Sequence, residues 1–171
     1  VTTGGLGLGG RGNAYYTRGL AASSVQIDGV ADYGLLPSGL NLEGSNLSSM
    51  VIYDHIEVLR GADGLYGGLG DSAGTINLVR KRPTAQAQTR VNLSAGSWDT
   101  YQAEADLSGP LAFDGRLRGR LVAARRDAGY FTEHAKSRSD LVYAVGELDL
   151  GPGTRLTLGG HYNHERATPP G

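Results

Sequence analysis

Arg90-Val91-Asn92-Leu93-Ser94-Ala95 and Tyr101-Gln102-Ala103-Glu104-Ala105-Asp106-Leu107-Ser108 put apolar and polar residues at alternate positions. A period of two is the signature of a β-strand with unlike faces. The pattern continues: Leu117, Gly119, Leu121 and Ala123 oppose Arg116, Arg118 and Arg120. Ala144, Gly146, Leu148 and Leu150 then oppose Tyr143, Glu147 and Asp149, and Leu156, Leu158 and Tyr162 oppose Arg155, Thr157, His161 and Asn163. These segments make five consecutive strands. Three arginines on one strand face call for water on that face. The segments Ser108 to Gly115 and Gly151-Pro152-Gly153 read as tight turns, whereas Arg125 to Arg138 reads as a long polar loop carrying Gly129 and Tyr130-Phe131. Short turns on one rim and longer loops on the other fit an outer-membrane barrel, although the link at Gly96 to Asp99 is also short. A soluble antiparallel sandwich alternates in the same way, so pattern alone leaves both architectures open.

The grammar changes near Pro83-Thr84. Before that point the chain reads as a mixed α/β stretch with Gly-rich connections. Val25-Gln26-Ile27 reads as a strand ending at the turn pair Asp28-Gly29, and His55 to Leu59 as another ending at Gly61. Leu42 to Ile52 could hold a short helix capped by Ser45 or Asn46. Ala73 to Val79 reads as a β-branched strand closed by Arg80-Lys81-Arg82.

Composition removes several function classes. The 171 residues include 28 Gly, 2 Phe and no Cys, which excludes disulfides, thiolate metal sites and a catalytic thiol. Sixteen basic residues stand against 17 acidic ones, so no basic excess points to nucleic acid. Val1 is not an initiator Met and no signal-like segment follows it, which suggests an internal or processed segment. No apolar run approaches the roughly 18 residues of a spanning helix, a test that barrel strands escape.

Three motifs invite misreading. Gly5-x-Gly7-x-x-Gly10 matches a dinucleotide fingerprint, but no apolar strand precedes it and no convincing helix follows. Gly70-Asp71-Ser72-Ala73-Gly74 matches a nucleophile elbow, yet Thr75-Ile76-Asn77-Leu78-Val79 after it are strand formers where a helix is required. His161 and His164, three apart on a strand, point to opposite faces and could not readily share a metal ion. No catalytic and no metal-binding residue is therefore assigned.

Tyr53-Asp54-His55-Ile56-Glu57-Val58-Leu59-Arg60-Gly61 resembles the most characteristic plug segment of the TonB-dependent outer-membrane siderophore receptors. So do Leu65-Tyr66-Gly67 and Gly74-Thr75-Ile76-Asn77-Leu78-Val79-Arg80-Lys81-Arg82-Pro83-Thr84. Upstream, Tyr16-Thr17-Arg18-Gly19-Leu20 and Gln26-Ile27-Asp28-Gly29-Val30 resemble earlier plug strands. Downstream, Ala95-Gly96-Ser97-Trp98-Asp99 and Asp106-Leu107-Ser108-Gly109-Pro110-Leu111 are similar to the first barrel hairpin. Ser72 departs from the Pro that many relatives carry.

The resemblance implies a fold and a role. The fold would be a mixed α/β plug domain over residues 1–84, followed over residues 85–171 by antiparallel strands of a transmembrane β-barrel. Five strands are a fraction of the about 22 in such barrels, so a fragment is expected, one that lacks the N-terminal TonB box. The role would be uptake of a ferric siderophore across the outer membrane of a Gram-negative bacterium, without catalysis and without a cofactor, since the siderophore carries the iron. Expected partners are the ferric siderophore, the TonB-ExbB-ExbD energy-transducing complex and outer-membrane lipid, with no nucleic acid. Alternatives are the same architecture carrying cobalamin, haem or an oligosaccharide, or acting as a signal transducer. By similarity to ferrichrome-type receptors, Arg18 and Tyr66 would touch the ligand, and Tyr33 lies where the family raises another apex, with Leu35 or Leu36 beside it. Glu57, Arg60, Arg80 and Arg82 would be structural charges that pair plug with barrel, their partners on strands outside this segment.

Overall fold

The structure, a computed structural model, describes residues 2–4, 14–17, 20–22, 24–31, 50–60, 74–129 and 136–168. Two compact units divide the chain, Val1–Arg80 and Lys81–Gly171. No helix among the described residues is long and apolar enough to cross a membrane.

The first unit holds two small sheets. Strands β1 (Thr2–Gly4), β2 (Ala14–Thr17) and β3 (Leu20–Ala22) form an antiparallel sheet in that order. A mixed sheet has the order β5-β4-β7-β6, built from β4 (Ser24–Ile27), β5 (Val30–Ala31), β6 (Tyr53–Arg60) and β7 (Gly74–Arg80). Strands β4 and β7 run parallel, with Val25 opposite Ile76 and Ile27 opposite Leu78. The hairpin from β4 to β5 turns on Asp28 and Gly29, both at positive φ (52° and 79°), the conformation that a two-residue Asp-Gly turn supplies. Ile52, Tyr53 and Leu78 are buried. The expected helix over Leu42 to Ile52 falls mostly outside the described residues; its end, Met50–Ile52, is a 3-10 turn.

The second unit is a five-stranded antiparallel meander, β8 (Gln88–Gly96), β9 (Thr100–Ala112), β10 (Leu117–Gly129), β11 (Lys136–Gly151) and β12 (Thr154–Thr168), in sequence order across the sheet. Each connection joins neighbouring antiparallel strands, so short turns suffice. Two expectations are corrected in extent. The turn expected from Ser108 shrinks to Phe113–Gly115, because β9 pairs with β10 through Ala112. The loop expected from Arg125 to Arg138 is largely strand: Arg125 pairs with Asp140, Asp127 with Arg138 and Gly129 with Lys136, leaving only residues 130–135, which lie outside the described residues.

Register sorts the side chains into two unlike faces. One ladder row runs Val91, Ala105, Ala123, Val142, Tyr162, and the next row on the opposite face runs Arg90, Asp106, Val122, Tyr143, His161. The apolar face is the exposed one: Leu93 is 78% accessible and Leu158 69%, with Val91, Tyr101, Leu107, Leu121 and Tyr162 also open. Asp106 and Glu147 on the polar face are buried at 4% and 2%. A water-soluble sandwich buries its apolar face, and this sheet does the reverse, as a barrel does when lipid covers its outside.

Candidate functional site: an ion-pair network on the polar face

Strands β9, β10 and β11 present Asp106, Arg120 and Tyr143 on one face, and residues 81–84 lie across them. Arg120 grips Asp106 through two parallel bonds, Nε to Oδ1 and Nη2 to Oδ2, each 2.8 Å, the fork geometry that favours Arg for carboxylates. Lys81, itself buried, donates Nζ to Asp106 Oδ2 at 2.8 Å and reaches Glu104 Oε1 at 3.5 Å. The Tyr143 hydroxyl donates to the Lys81 carbonyl at 2.8 Å, and Arg120 Nη1 donates to the Arg82 carbonyl at 2.9 Å. Both the Thr84 amide and its hydroxyl reach Ser108 Oγ at 2.8 Å.

A second cluster lies along the same face toward the short turns. Glu147 is ringed by Arg155 at 3.6 Å, Arg118 at 3.7 Å and Arg82 at 3.9 Å, all beyond hydrogen-bond length, and Glu147 Oε1 and Arg118 Nε are buried without a hydrogen-bond partner among the described residues. Asp149 takes the closer contacts, from Arg118 at 2.9 Å and Arg155 at 2.6 Å, and its carbonyl accepts two bonds from Arg116. The arginine face expected to be solvated is therefore largely neutralised by carboxylates: the Arg118 and Arg120 side chains are 15% and 10% exposed.

In the first unit, Arg80 Nε pairs with Asp28 Oδ2 at 2.7 Å while the Arg80 amide bonds Asp28 Oδ1 at 2.9 Å. Gly29 donates to Asn77 Oδ1, and Asn77 Nδ2 donates to Glu57 Oε2 at 2.7 Å. The Asn77 amide, and then His55, hold the Glu57 carboxyl below its usual range. Hydrogen bonding to Asp54, and then to Glu57, raises the His55 imidazole.

Of the expected site residues, Arg18, Tyr33 and Tyr66 lie outside the described residues, as do Leu35, Leu36 and Ser72, and Arg60 is placed only as the last residue of β6. Among the described residues Glu57 meets Asn77 and His55, Arg80 pairs with Asp28, and Arg82 lies 3.9 Å from Glu147. Sequence reasoning missed Lys81, Asp106, Glu147 and Tyr143 as a group. Alternation gave the face of the three strand residues, but nothing in it said that Lys81 would turn onto that face. Among the described residues no His, Asp and Glu group could hold a metal ion. After Gly74 the chain is a strand, where a nucleophile elbow needs a helix.

No protein-family model matches the chain. It is 44% identical over 153 residues to the ferripyoverdine receptor of Pseudomonas aeruginosa, covering 88% of this chain and 18% of the relative. The solved structure of the pyoverdine outer-membrane receptor FpvA from that organism, bound to pyoverdine, matches with a TM-score of 0.79 at 42% identity, over 91% of this chain and 22% of that one. By homology the chain belongs to the TonB-dependent siderophore receptors. The outer-membrane alcaligin receptor FauA of Bordetella pertussis agrees, with a TM-score of 0.74 and 36% identity over 90% of this chain and 25% of that structure. The segment therefore has the architecture of a siderophore-receptor plug region followed by barrel strands, and it spans about a fifth of the length of the receptors it matches.

Proposed function

We propose that this segment belongs to a receptor that carries a ferric siderophore across the outer membrane of a Gram-negative bacterium, energised by the TonB-ExbB-ExbD complex. The observation that carries the reading is 44% identity with the ferripyoverdine receptor through plug-like and barrel-like regions alike. On this reading residues 1–84 are plug, residues 85–171 are the first barrel strands, and lipid covers the exposed apolar face. Transport makes and breaks no covalent bond, so the receptor is not an enzyme, and iron travels in the cargo rather than in a resident cofactor.

Arg18, Tyr66 and Tyr33 are the proposed ligand contacts, with rings lying against apolar parts of the siderophore and the guanidinium facing its oxygens. Glu57, Arg60, Arg80 and Arg82 are proposed as structural charges of the plug and its exit. The test is growth rescue of an iron-starved strain lacking its own receptors, supplied with the full-length protein and a panel of ferric siderophores. Rescue by a pyoverdine or another hydroxamate supports the reading, and failure with every siderophore overturns it in favour of another cargo. Tyr66→Ala should weaken binding of the rescuing siderophore while the receptor stays folded, and unchanged affinity would remove Tyr66 from the site.

A further inference from the structure

We propose that residues 81–84 are a mechanical anchor, in which Lys81, Asp106, Arg120 and Tyr143 fix the chain leaving the first unit to the barrel wall so that a pull on that unit ends there. The proposal rests on the TonB-dependent reading above. Its grounds are the bonding pattern. Three of the four residues in the segment are tied to the sheet through the main chain: the Lys81 carbonyl by Tyr143, the Arg82 carbonyl by Arg120 and the Thr84 amide by Ser108. The fourth, Pro83, has no amide hydrogen to satisfy and a fixed φ, so it stiffens the segment without adding an unpaired donor.

The attachments spread over three adjacent strands, with Ser108 and Asp106 on β9, Arg120 on β10 and Tyr143 on β11. Strands paired in register share a load, and several bonds must break together before the segment lifts. The central ion pair is buried, so lifting Lys81 strips Asp106 of a cation where water cannot quickly replace it. One residue earlier the bonding differs: the Arg80 and Asp28 side chains are 39% and 25% exposed, and that pair can exchange for water. The shielding of the ion pairs from water therefore steps up at the Arg80–Lys81 peptide bond, which is where the two units meet in sequence.

A role in packing alone would require the same contacts, so the test needs a readout that depends on force. The full-length receptor is expressed in a Gram-negative host with or without a working TonB, and vancomycin, too large for an intact outer membrane, reports an opened lumen. Lys81→Met keeps the stem and leaves Asp106 gripped by Arg120. It should leave siderophore binding unchanged and raise vancomycin entry about tenfold, the size that loss of one charge-assisted hydrogen bond implies, only when TonB works and siderophore is present. Tyr143→Phe, which removes a single hydroxyl, should act in the same direction and serves if Lys81→Met does not reach the membrane. No rise in either host, or an equal rise in both, overturns the anchor. Failure of the wild-type receptor to rescue growth with every siderophore overturns the import reading instead, an outcome distinct from rescue by the wild type without TonB-dependent vancomycin entry through the variants, which overturns the anchor alone.

Discussion

The two units handle charge in opposite ways. In the first, ion pairs sit at the surface: His55, Asp54 and Glu57 side chains are all more than half exposed, and Arg80 with Asp28 is only partly covered. In the second, Asp106 and Glu147 are buried among cations beneath a sheet whose other face offers leucines to the surroundings. Exposed pairs contribute little and exchange readily with water, whereas buried ones become costly once a partner is lost. A region meant to rearrange and a region meant to stay put would differ in this way.

Replacing Asp106 should have the largest effect. Asp106→Ala removes the buried carboxylate that Lys81 and Arg120 share, leaving Lys81 only its longer contact to Glu104, and a loss of about 3–5 kcal/mol is expected, read as a lowered midpoint in denaturant unfolding of the full-length receptor in detergent. A loss under a third of that would mean water reaches the site. Tyr143→Phe removes one buried donor and leaves the Lys81 carbonyl unsatisfied, for an expected loss of about 1–3 kcal/mol in the same measurement. In the first unit Asp28→Asn keeps a residue that tolerates positive φ and can still accept from the Arg80 amide. It removes only a partly screened charge, so about 0.2–1 kcal/mol is expected, and an effect as large as that of Asp106→Ala would erase the distinction between the units.

The smallest effect is a pH dependence. Glu57 has a lowered folded-state pKa, so its contribution is present above the ordinary carboxylate range and is lost as pH falls through the folded value. His55 has a raised folded-state pKa, so its contribution is complete below about 6.5, the unfolded value, and is lost as pH rises through the folded one. Both are present together only in the mildly acidic window between. Glu57→Gln should flatten the acid limb and lower the His55 titration midpoint, observable by NMR of the imidazole; an unmoved midpoint would show that the Glu57 contact is not made in solution.

Much of this architecture was legible in particular residues. The strand period in Tyr101 to Leu107 gave β9 its faces, Asp28-Gly29 gave the turn between β4 and β5, and the β-branched run through Thr75, Ile76 and Val79 gave β7. Strand ends were less legible. Arg125, Asp127, Arg138 and Asp140 look like loop residues one at a time, yet they pair across β10 and β11, where Asp127 bonds both Arg125 and Arg138. Cross-strand charge pairing cannot be read from one strand, because the partner is fixed by register.

Alternation is a property of neighbours along the chain, so the residues alone establish strands in the second half with one apolar and one polar face. It could not say which face would be covered, since a sandwich and a barrel share the pattern. Folding in three dimensions settles it: the polar face is the buried one, and its carboxylates and guanidinium groups meet across four strands. It also decided that Lys81 belongs to the sheet while Arg80 belongs to the unit before it. The two residues are adjacent in sequence and alike in charge, but their surroundings differ, and solvent access sets what each ion pair is worth.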